Sequence, residues 1–468
     1  MTLESCIEQA LKNNLQVRIQ RLAPEIARLS VSGAYGAYEP SFSANLTRSF
    51  RATPGGVEEE TLVDIPQNES WSSSISLGLG GLLPTGLSYQ MRGTFGDHDF
   101  TRGLSRERNA SAYVGINLTQ PLLKNFWIDG PRYAILVARK DLKISELSLR
   151  QQLINTITDV ETAYLELIAA RENVAVQKKA LELAEELYRD NKKRVEVGAL
   201  APLDEKQAES QMAATRAALI AAQNNVKVRE NTLKSLITDR FASMEGVRLV
   251  PSEALKALPH TFSLQDSWSK ALSMRPDLLQ ARERLERQHI TLKYRKNQLF
   301  PELDIVGSYG QRGQAHEISG ALSGVDRGDN PEHSYGIVFR YPLGNRTARS
   351  QYRAAKVQVQ QSLLQLKQIE QAVMVQVDNA ISQARSALEQ VEASRAAVEY
   401  AQIALDAEKK KLEEGKSTSF EVLRLQRDLT SRRSEYIRAV TDYNAALARL
   451  AQAEGSTLER HGVVVESD

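Results

Sequence analysis

Along two long stretches of this chain, apolar residues return at every seventh position. From Leu153 the step lands on Val160, Leu167, Val174, Leu181, Tyr188 and Val195, and from Val377 on Ala384, Val391, Val398, Leu405 and Leu412. Beyond two glycines, Gly198 and Gly415, it resumes through Met212, Leu219, Val226 and Leu233, and through Val422, Leu429, Tyr436, Tyr443 and Leu450. A strict seven-residue repeat keeps one apolar seam facing a partner only when helices wrap round one another, so these stretches predict coiled coils. The positions between are Glu, Lys, Arg, Gln and Ala, strong helix formers suited to solvated faces. The helix from Gly130 to Val197 would reach roughly 100 Å at 1.5 Å per residue. A final helix of about 35 residues and a first helix of about 30 nearly equal it in sum at the same rise, which predicts a hairpin wall of end-to-end helices.

Between Pro40 and Pro121 the period changes from seven to two. Phe42, Ala44 and Leu46 oppose Ser43, Asn45 and Thr47, and Trp71, Ser73, Ile75, Leu77 and Leu79 oppose Ser72, Ser74, Ser76, Gly78 and Gly80. Leu87, Tyr89 and Met91 oppose Ser88, Gln90 and Arg92, and Ala112, Val114, Ile116 and Leu118 oppose Tyr113, Gly115, Asn117 and Thr119. Weaker alternation with aromatic ends marks Leu303 to Tyr309 and Tyr335 to Tyr341. Apolar-out, polar-in strands with aromatic ends suit a lipid-facing barrel with a wet lumen, although a half-buried soluble sheet alternates in the same way. Strands that leave and re-enter the helices at Pro40 and Pro121 put the tight Leu82 to Gly86 turn on the helix side. Longer polar loops, near residues 51 to 69 and 96 to 110, fall on the far side, the loop asymmetry of an outer-membrane barrel. Four to six strands cannot close a barrel, and an open edge is not tolerated in lipid, so several chains must share one.

The two halves echo one another. Leu3 matches Leu264, Ala10-Leu11 matches Ala271-Leu272 and Pro40 matches Pro301, each 261 residues apart; Pro121 pairs with Pro342 at 221 and Gly198 with Gly415 at 217. Constant spacing over so long a stretch is the signature of an internal duplication. The drop in offset leaves the first copy 40 residues longer between its prolines. The predicted organisation is a first repeat over 1–237, a linker over 238–262 marked by Pro251 and Pro259, a second repeat over 263–454 and a tail over 455–468. The segments from Trp71 to Phe95 are read as an extra hairpin.

Composition removes other functions. With 60 Lys+Arg against 58 Asp+Glu the net charge is +2, which carries no nucleic-acid footprint. The single cysteine, Cys6, forms no internal disulfide and lacks the small apolar lead of a lipid-attachment site. His98, His260, His289, His316, His333 and His461 are scattered without metal-ligand spacing, and the glycine-rich run Gly78 to Gly86 lacks the Lys-Ser/Thr of a phosphate loop. No catalytic residue, cofactor or metal is expected, so energy for transport would come from a partner. No stretch approaches the roughly 18 uninterrupted apolar residues of a spanning helix. The start reads as helix rather than signal peptide, so an exported protein beginning here would be truncated or processed.

A duplicated order of helix, strands, long helix, glycine break and helix resembles the TolC-like family of outer-membrane efflux proteins over nearly the whole chain. The likeness rests on Leu3 to Asn14 and its echo Leu264 to Pro276, and on the strand exits Gln120-Pro121-Leu122 and Tyr341-Pro342-Leu343. It rests also on two helix-turn-helix tips, Val197-Gly198-Ala199-Leu200-Ala201-Pro202 and Glu414-Gly415-Lys416-Ser417-Thr418-Ser419. The resemblance implies an α+β membrane protein. It would be a homotrimer sharing one transmembrane β-barrel in outer-membrane lipid, continued by a long antiparallel coiled-coil α-barrel across the periplasm. It implies a passive exit duct for efflux or type I secretion, docking a periplasmic adaptor, and through it an inner-membrane pump, at Val197, Gly198, Ala199, Leu200 and Pro202 and at Gly415, Lys416, Ser417 and Thr418. The family gates its periplasmic end with carboxylates; Glu421 falls at one such position and Asp204 at a first-repeat acidic one. Arg424 stands where a second acidic ring is usual, and Leu412 and Ser417 stand where Asp204 usually finds its partners. The family usually supplies four strands per chain, against six here, which would widen the barrel from twelve strands to eighteen. The rival reading from another class is a soluble coiled-coil scaffold, which explains the heptads but not the strands or the offsets.

Overall fold

The structure is a computed structural model and describes residues 1–57, 64–102 and 105–463. The chain divides into two compact units that cut across the sequence repeats. One gathers Met1–Glu25, Lys143–Arg282 and Leu364–Asp468, and the other gathers Ile26–Leu142 and Glu283–Leu363.

The element order repeats. The first copy runs α1 (Leu3–Asn13), α2 (Leu15–Tyr35), β1 (Ser41–Thr53), β2 (Gly56–Val57), β3 (Asp64–Ile65), β4 (Asn68–Leu82), β5 (Ser88–Arg102), β6 (Ser105–Pro121), α3 (Gly130–Glu196) and α4 (Pro202–Ile237). The second runs α5 (Leu264–Met274), α6 (Pro276–Asn297), β7 (Glu302–Ala315), α7 (Ile318–Arg327), β8 (Pro331–Arg340), α8 (Arg346–Glu413), α9 (Ser419–Glu454) and α10 (Thr457–Arg460). The long helices contain 67 and 68 residues, and the helices after the glycines 36 each.

The first helix of each copy is two helices rather than one of 30 residues. Asn14 is extended, with ψ 125, and its Oδ1 accepts from Gln16 N at 2.9 Å and Val17 N at 3.3 Å, ending α1 and capping α2 in one residue. In the second copy Pro276 forces the break, because the residue before a proline is driven to extended backbone; Arg275 has ψ 123. The first pair closes on α3 and α5 closes on α8, whereas α6 makes ion pairs with α3, Glu283 to Lys140 and Arg287 to Asp141. Cys6, Ile7 and Val17 pack with Ile154, Ile157, Tyr164 and Leu167 of α3 and with Leu233 and Ile237 of α4. Ala271 packs with Val373, Val377 and Ile381 of α8 and Leu450 of α9. Burying the Cys6 thiol in this cluster pushes its pKa up to about 11, which keeps it protonated and unreactive at neutral pH.

The second unit is built on one six-stranded antiparallel sheet in the order β1-β4-β5-β6-β7-β8. The hairpin β4–β5 lies inside it as its second and third strands. Register aligns the apolar positions: Leu46 faces Ile75, Ile75 faces Phe95, Phe95 faces Ala112 and Ala112 faces Gly313. One face therefore carries Phe42, Leu46, Leu77, Leu79, Met91, Val114, Leu118, Ile337 and Phe339, all exposed, while serines, glycines, Asn45 and Thr47 occupy the other. The turn from β4 to β5 is closed by Gly86 at φ +87, where a Cβ would lie 2.8 Å from Asn125 O.

Residues 96–110, expected to be a loop, are mostly strand: β5 runs to Arg102 and β6 begins at Ser105. Alternation persists there in charged residues. Arg106 pairs with Asp99, and Arg108 lies 3.7 Å from Asp97, so ion pairs across the hairpin replace apolar contacts. Near the other expected loop, 51 to 69, β1 continues to Thr53 and β4 starts at Asn68, and residues 58–63 lie outside those described. The helix α7 was not anticipated.

Where strand gives way to helix, Asn125 takes φ 65 and Asn345 φ 38. The buried Asn297 holds the first of these joints: its Oδ1 accepts from Asn125 N at 2.8 Å and its Nδ2 donates to Leu123 O at 3.2 Å. Lys124 and Arg340 both close on Glu302, at 2.8 and 3.0 Å, tying β6 and β8 to the start of β7.

Candidate functional site at the helical turns

Both reversals of the long helices use the same device. Gly198 stands at φ +75 and Gly415 at φ +74, and neither would bring a Cβ within 4 Å of a neighbour. Glycine is needed there for its backbone conformation, not for space. In the first turn Ala199 N donates to Arg194 O at 2.7 Å, closing α3, and Pro202 opens α4 where no N–H is needed. In the second, Lys416 N donates to Lys411 O at 2.8 Å, and the Thr418 hydroxyl caps α9 by accepting from Glu421 N at 3.4 Å.

Of the residues assigned to docking, Val197, Gly198, Ala199, Pro202, Gly415, Lys416 and Thr418 are exposed, and Leu200 and Ser417 half-buried. Val197 is 79% exposed; Leu203 at 66% and Phe420 at 49% extend the apolar surface beyond the sequence assignment. Lys416 pairs with Glu414 at 2.8 Å.

The residues assigned to a gate are not all free. Glu421 is held by Arg424, whose guanidinium approaches to 2.7 Å, so the carboxylate and the cation in the usual acidic position neutralise one another on one helix face. Asp204 sits in the first turn of α4, where its charge favours the helix dipole. Ser417 donates to Glu408 instead of meeting Asp204, and Lys411 lies 3.0 Å from the same carboxylate.

One residue missed in the sequence joins the first turn to Ser419 of the second tip motif. Asn191 of α3, 1% exposed, accepts from Ser419 Oγ at 3.0 Å and donates to Asp204 O at 3.3 Å. One side chain thus links α3, α4 and α9. Around it Leu187 packs with Leu405, Val422, Leu423 and Leu429. The available signal was position: Asn191 lies three residues after Tyr188 of the seam, where Ala163, Ala170 and Ala184 occupy equivalent sites and Thr156 and Gln177 already break the row. A polar residue interrupting a small-residue seam commonly fixes register.

The Ser417 hydroxyl and the Lys411 ammonium hold the Glu408 carboxyl below the usual carboxylate range. A lowered folded pKa stabilises above the unfolded value of about 4.3 and is lost as pH falls through the folded one. Hydrogen exchange at Lys416 to Thr418, corrected for intrinsic rate, should therefore stay flat from about pH 8 to about pH 5 and rise only below the ordinary carboxylate range. A rise near neutrality would remove Glu408 from the turn's support.

Comparison with known proteins places these features among relatives. The family model described as outer membrane efflux protein matches residues 6–238 and 268–456. The outer membrane efflux protein BepC of Brucella suis is 27% identical over 364 residues, covering 77% of this chain and 76% of its own. The pyoverdine export outer membrane protein OpmQ of Pseudomonas aeruginosa is 24% identical over 306 residues, 65% of this chain and 62% of its own. Among solved structures, the outer-membrane channel OprN superposes with TM-score 0.72 at 18% identity, over 97% of this chain and 90% of that one. The CmeC outer membrane channel of Campylobacter jejuni gives 0.70 at 16% identity, over 97% and 86%. These likenesses show the fold.

Proposed function

Because this chain belongs to the outer membrane efflux protein family, we propose that it is the exit duct of a tripartite efflux pump or type I secretion system, a passive channel with its sheet in the outer membrane. The observation that carries the reading is the exposed apolar face shared by all six strands. No described helix is long and apolar enough to cross a membrane, but strands do so when one face is apolar and every edge is paired.

The edges support a shared barrel. β1 is exposed along all 13 residues and β8 is exposed at nine of ten, so each offers unpaired N–H and C=O groups. Six antiparallel strands leave β1 and β8 running in opposite senses, so β8 of one copy can pair with β1 of the next in the antiparallel sense used throughout the sheet. Three copies of six strands give an eighteen-stranded barrel, wider than the usual twelve of this family. A soluble scaffold has no use for such a face or for such edges.

In this reading each matched stretch is one repeat, and the helical turns are the periplasmic end. Val197, Leu203 and Phe420, beside the glycines, form the surface that receives an adaptor's hairpin. The Asn191–Ser419 bond is the latch that holds the turns closed, and Glu421 and Asp204, with Arg424, set the charge at the opening.

Light scattering on the protein purified in detergent tests the assembly. Three chains per particle, retained on dilution, is the expected result. A monomer that stays soluble without detergent would refute the duct.

A further inference from the structure

The helix α7 lies on the apolar face of the sheet, not beyond its end. Ala321 is fully buried against Ala110 and Ala112, with Phe95, Ala315 and Val325 around them. A Cβ on Gly313 would lie 1.8 Å from Ala321 O, so the helix backbone rests directly on the strand. Ile318 and Leu322, on the outer side of α7, stay exposed. Beside the helix the face is hollowed into a groove of about 540 Å³ whose walls include Leu77, Met91, Phe95, Val114 and Val325. Gly93 leaves room in its floor.

Two polar side chains of that face, Gln311 and Tyr309, enter the apolar lining. Gln311, opposite Val114, donates from Nε2 to Tyr309 Oη at 3.0 Å, while its Oε1 is buried without a partner. A buried amide oxygen left unpaired is costly and calls for a donor.

We propose that this groove seats one hydroxylated acyl chain of an outer-leaflet lipid, with the chain's hydroxyl on the Gln311 amide. The inference rests on the reading that the apolar face meets lipid. Continuity argues for an acyl chain, because the groove opens on the same apolar rows that would lie in the membrane. The orphaned amide argues for a hydroxyl. An alkyl chain leaves it unpaired, and a charged group would be costly in so apolar a lining. A hydroxyl both donates and accepts, so it satisfies the amide in either of its two orientations. The shared chemistry is a hydroxyacyl chain; its source is a hydroxyacylated glycolipid rather than an ordinary glycerophospholipid.

The test reconstitutes the full chain in phosphatidylcholine vesicles doped with one of two photoactivatable lipids, a diazirine tetradecanoyl phospholipid or its hydroxytetradecanoyl counterpart, and maps labelled peptides by mass spectrometry. The hydroxylated probe should label Met91, Val114 and Val325 about tenfold more than the plain one, and Gln311→Leu should abolish that preference. Both probes should label Ile337 and Phe339 equally in either protein. Adding unlabelled hydroxyacylated glycolipid should suppress groove labelling, whereas added phosphatidylethanolamine should not. Equal labelling of the groove by both probes, or labelling of the Ile337 band alone, overturns the proposal and leaves the membrane reading standing. Labelling of neither surface overturns the membrane reading as well.

Discussion

Leu46→Arg is expected to cost about 2–4 kcal/mol per chain when the protein folds into a bilayer, the depth-dependent penalty for a cation on the lipid face of a barrel. Leu46 stands midway between Phe42 and Phe50 on β1, 75% exposed in the single chain and directly opposite Ile75. The neighbouring change Thr47→Arg puts the same charge on the opposite face, beside Ser74, and should move stability by no more than about 0.5 kcal/mol. Urea titration of folding into vesicles measures both. The contrast is informative because composition, length and strand propensity change alike in the two variants and only the face differs. Equal costs would mean that the apolar face does not meet lipid.

A second large effect concerns the latch. Asn191→Leu removes the acceptor of the Ser419 hydroxyl, itself 2% exposed, and the donor to Asp204 O. A buried hydroxyl left without its partner costs about 1–3 kcal/mol. If that bond exists only in the closed turns, the closed-to-open ratio falls about fivefold to a hundredfold, at 1.4 kcal/mol per factor of ten. Single-channel recording in planar bilayers should show higher mean conductance. Adding Ser419→Ala to this variant should restore part of the closed population, because replacing both polar partners is milder than orphaning one. A folded Asn191→Leu protein with unchanged conductance would refute the latch.

Much of this architecture was legible where one chemical rule governed a long stretch. The heptads through Leu153 and Val377 announced the long helices, and Trp71 to Gly80 announced a strand, because burial on one side repeats regardless of neighbours. Gly198 and Gly415 announced the turns through their need for positive φ. The rule failed where the occupant of a face changed. Asp97, Asp99, Arg106 and Arg108 keep the strand's alternation but substitute ion pairs for apolar contact, so the far ends of β5 and β6, residues 96–110, read as loop. The sequence of α7, short and with glycines at 320 and 324, resembles turn-forming chain; Gly324 suits a close approach to Gly313 and Gly320 one to Ala315, which only the register of β6 and β7 reveals. Asn14 and Asn191 were hidden for another reason. Each acts through hydrogen bonds to distant backbone or side chains, Leu236 O in the first case and Ser419 in the second, and periodicity carries no trace of such partners.

The meander also has a consequence for how such a chain changes over time. A sheet of this topology is an up-and-down path, and inserting or deleting the hairpin Asn68–Arg102 adds or removes one ascending and one descending limb together. The directions of the flanking strands are preserved, and the junctions at Pro40, Pro121, Pro301 and Pro342 need not be rebuilt. In the shared barrel proposed above, calibre would therefore drift in steps of whole hairpins while the long helices keep their lengths and pairing. Odd increments would leave one border facing its counterpart in the wrong sense, so parity acts as a filter on insertions, and width becomes a heritable variable separable from the turns.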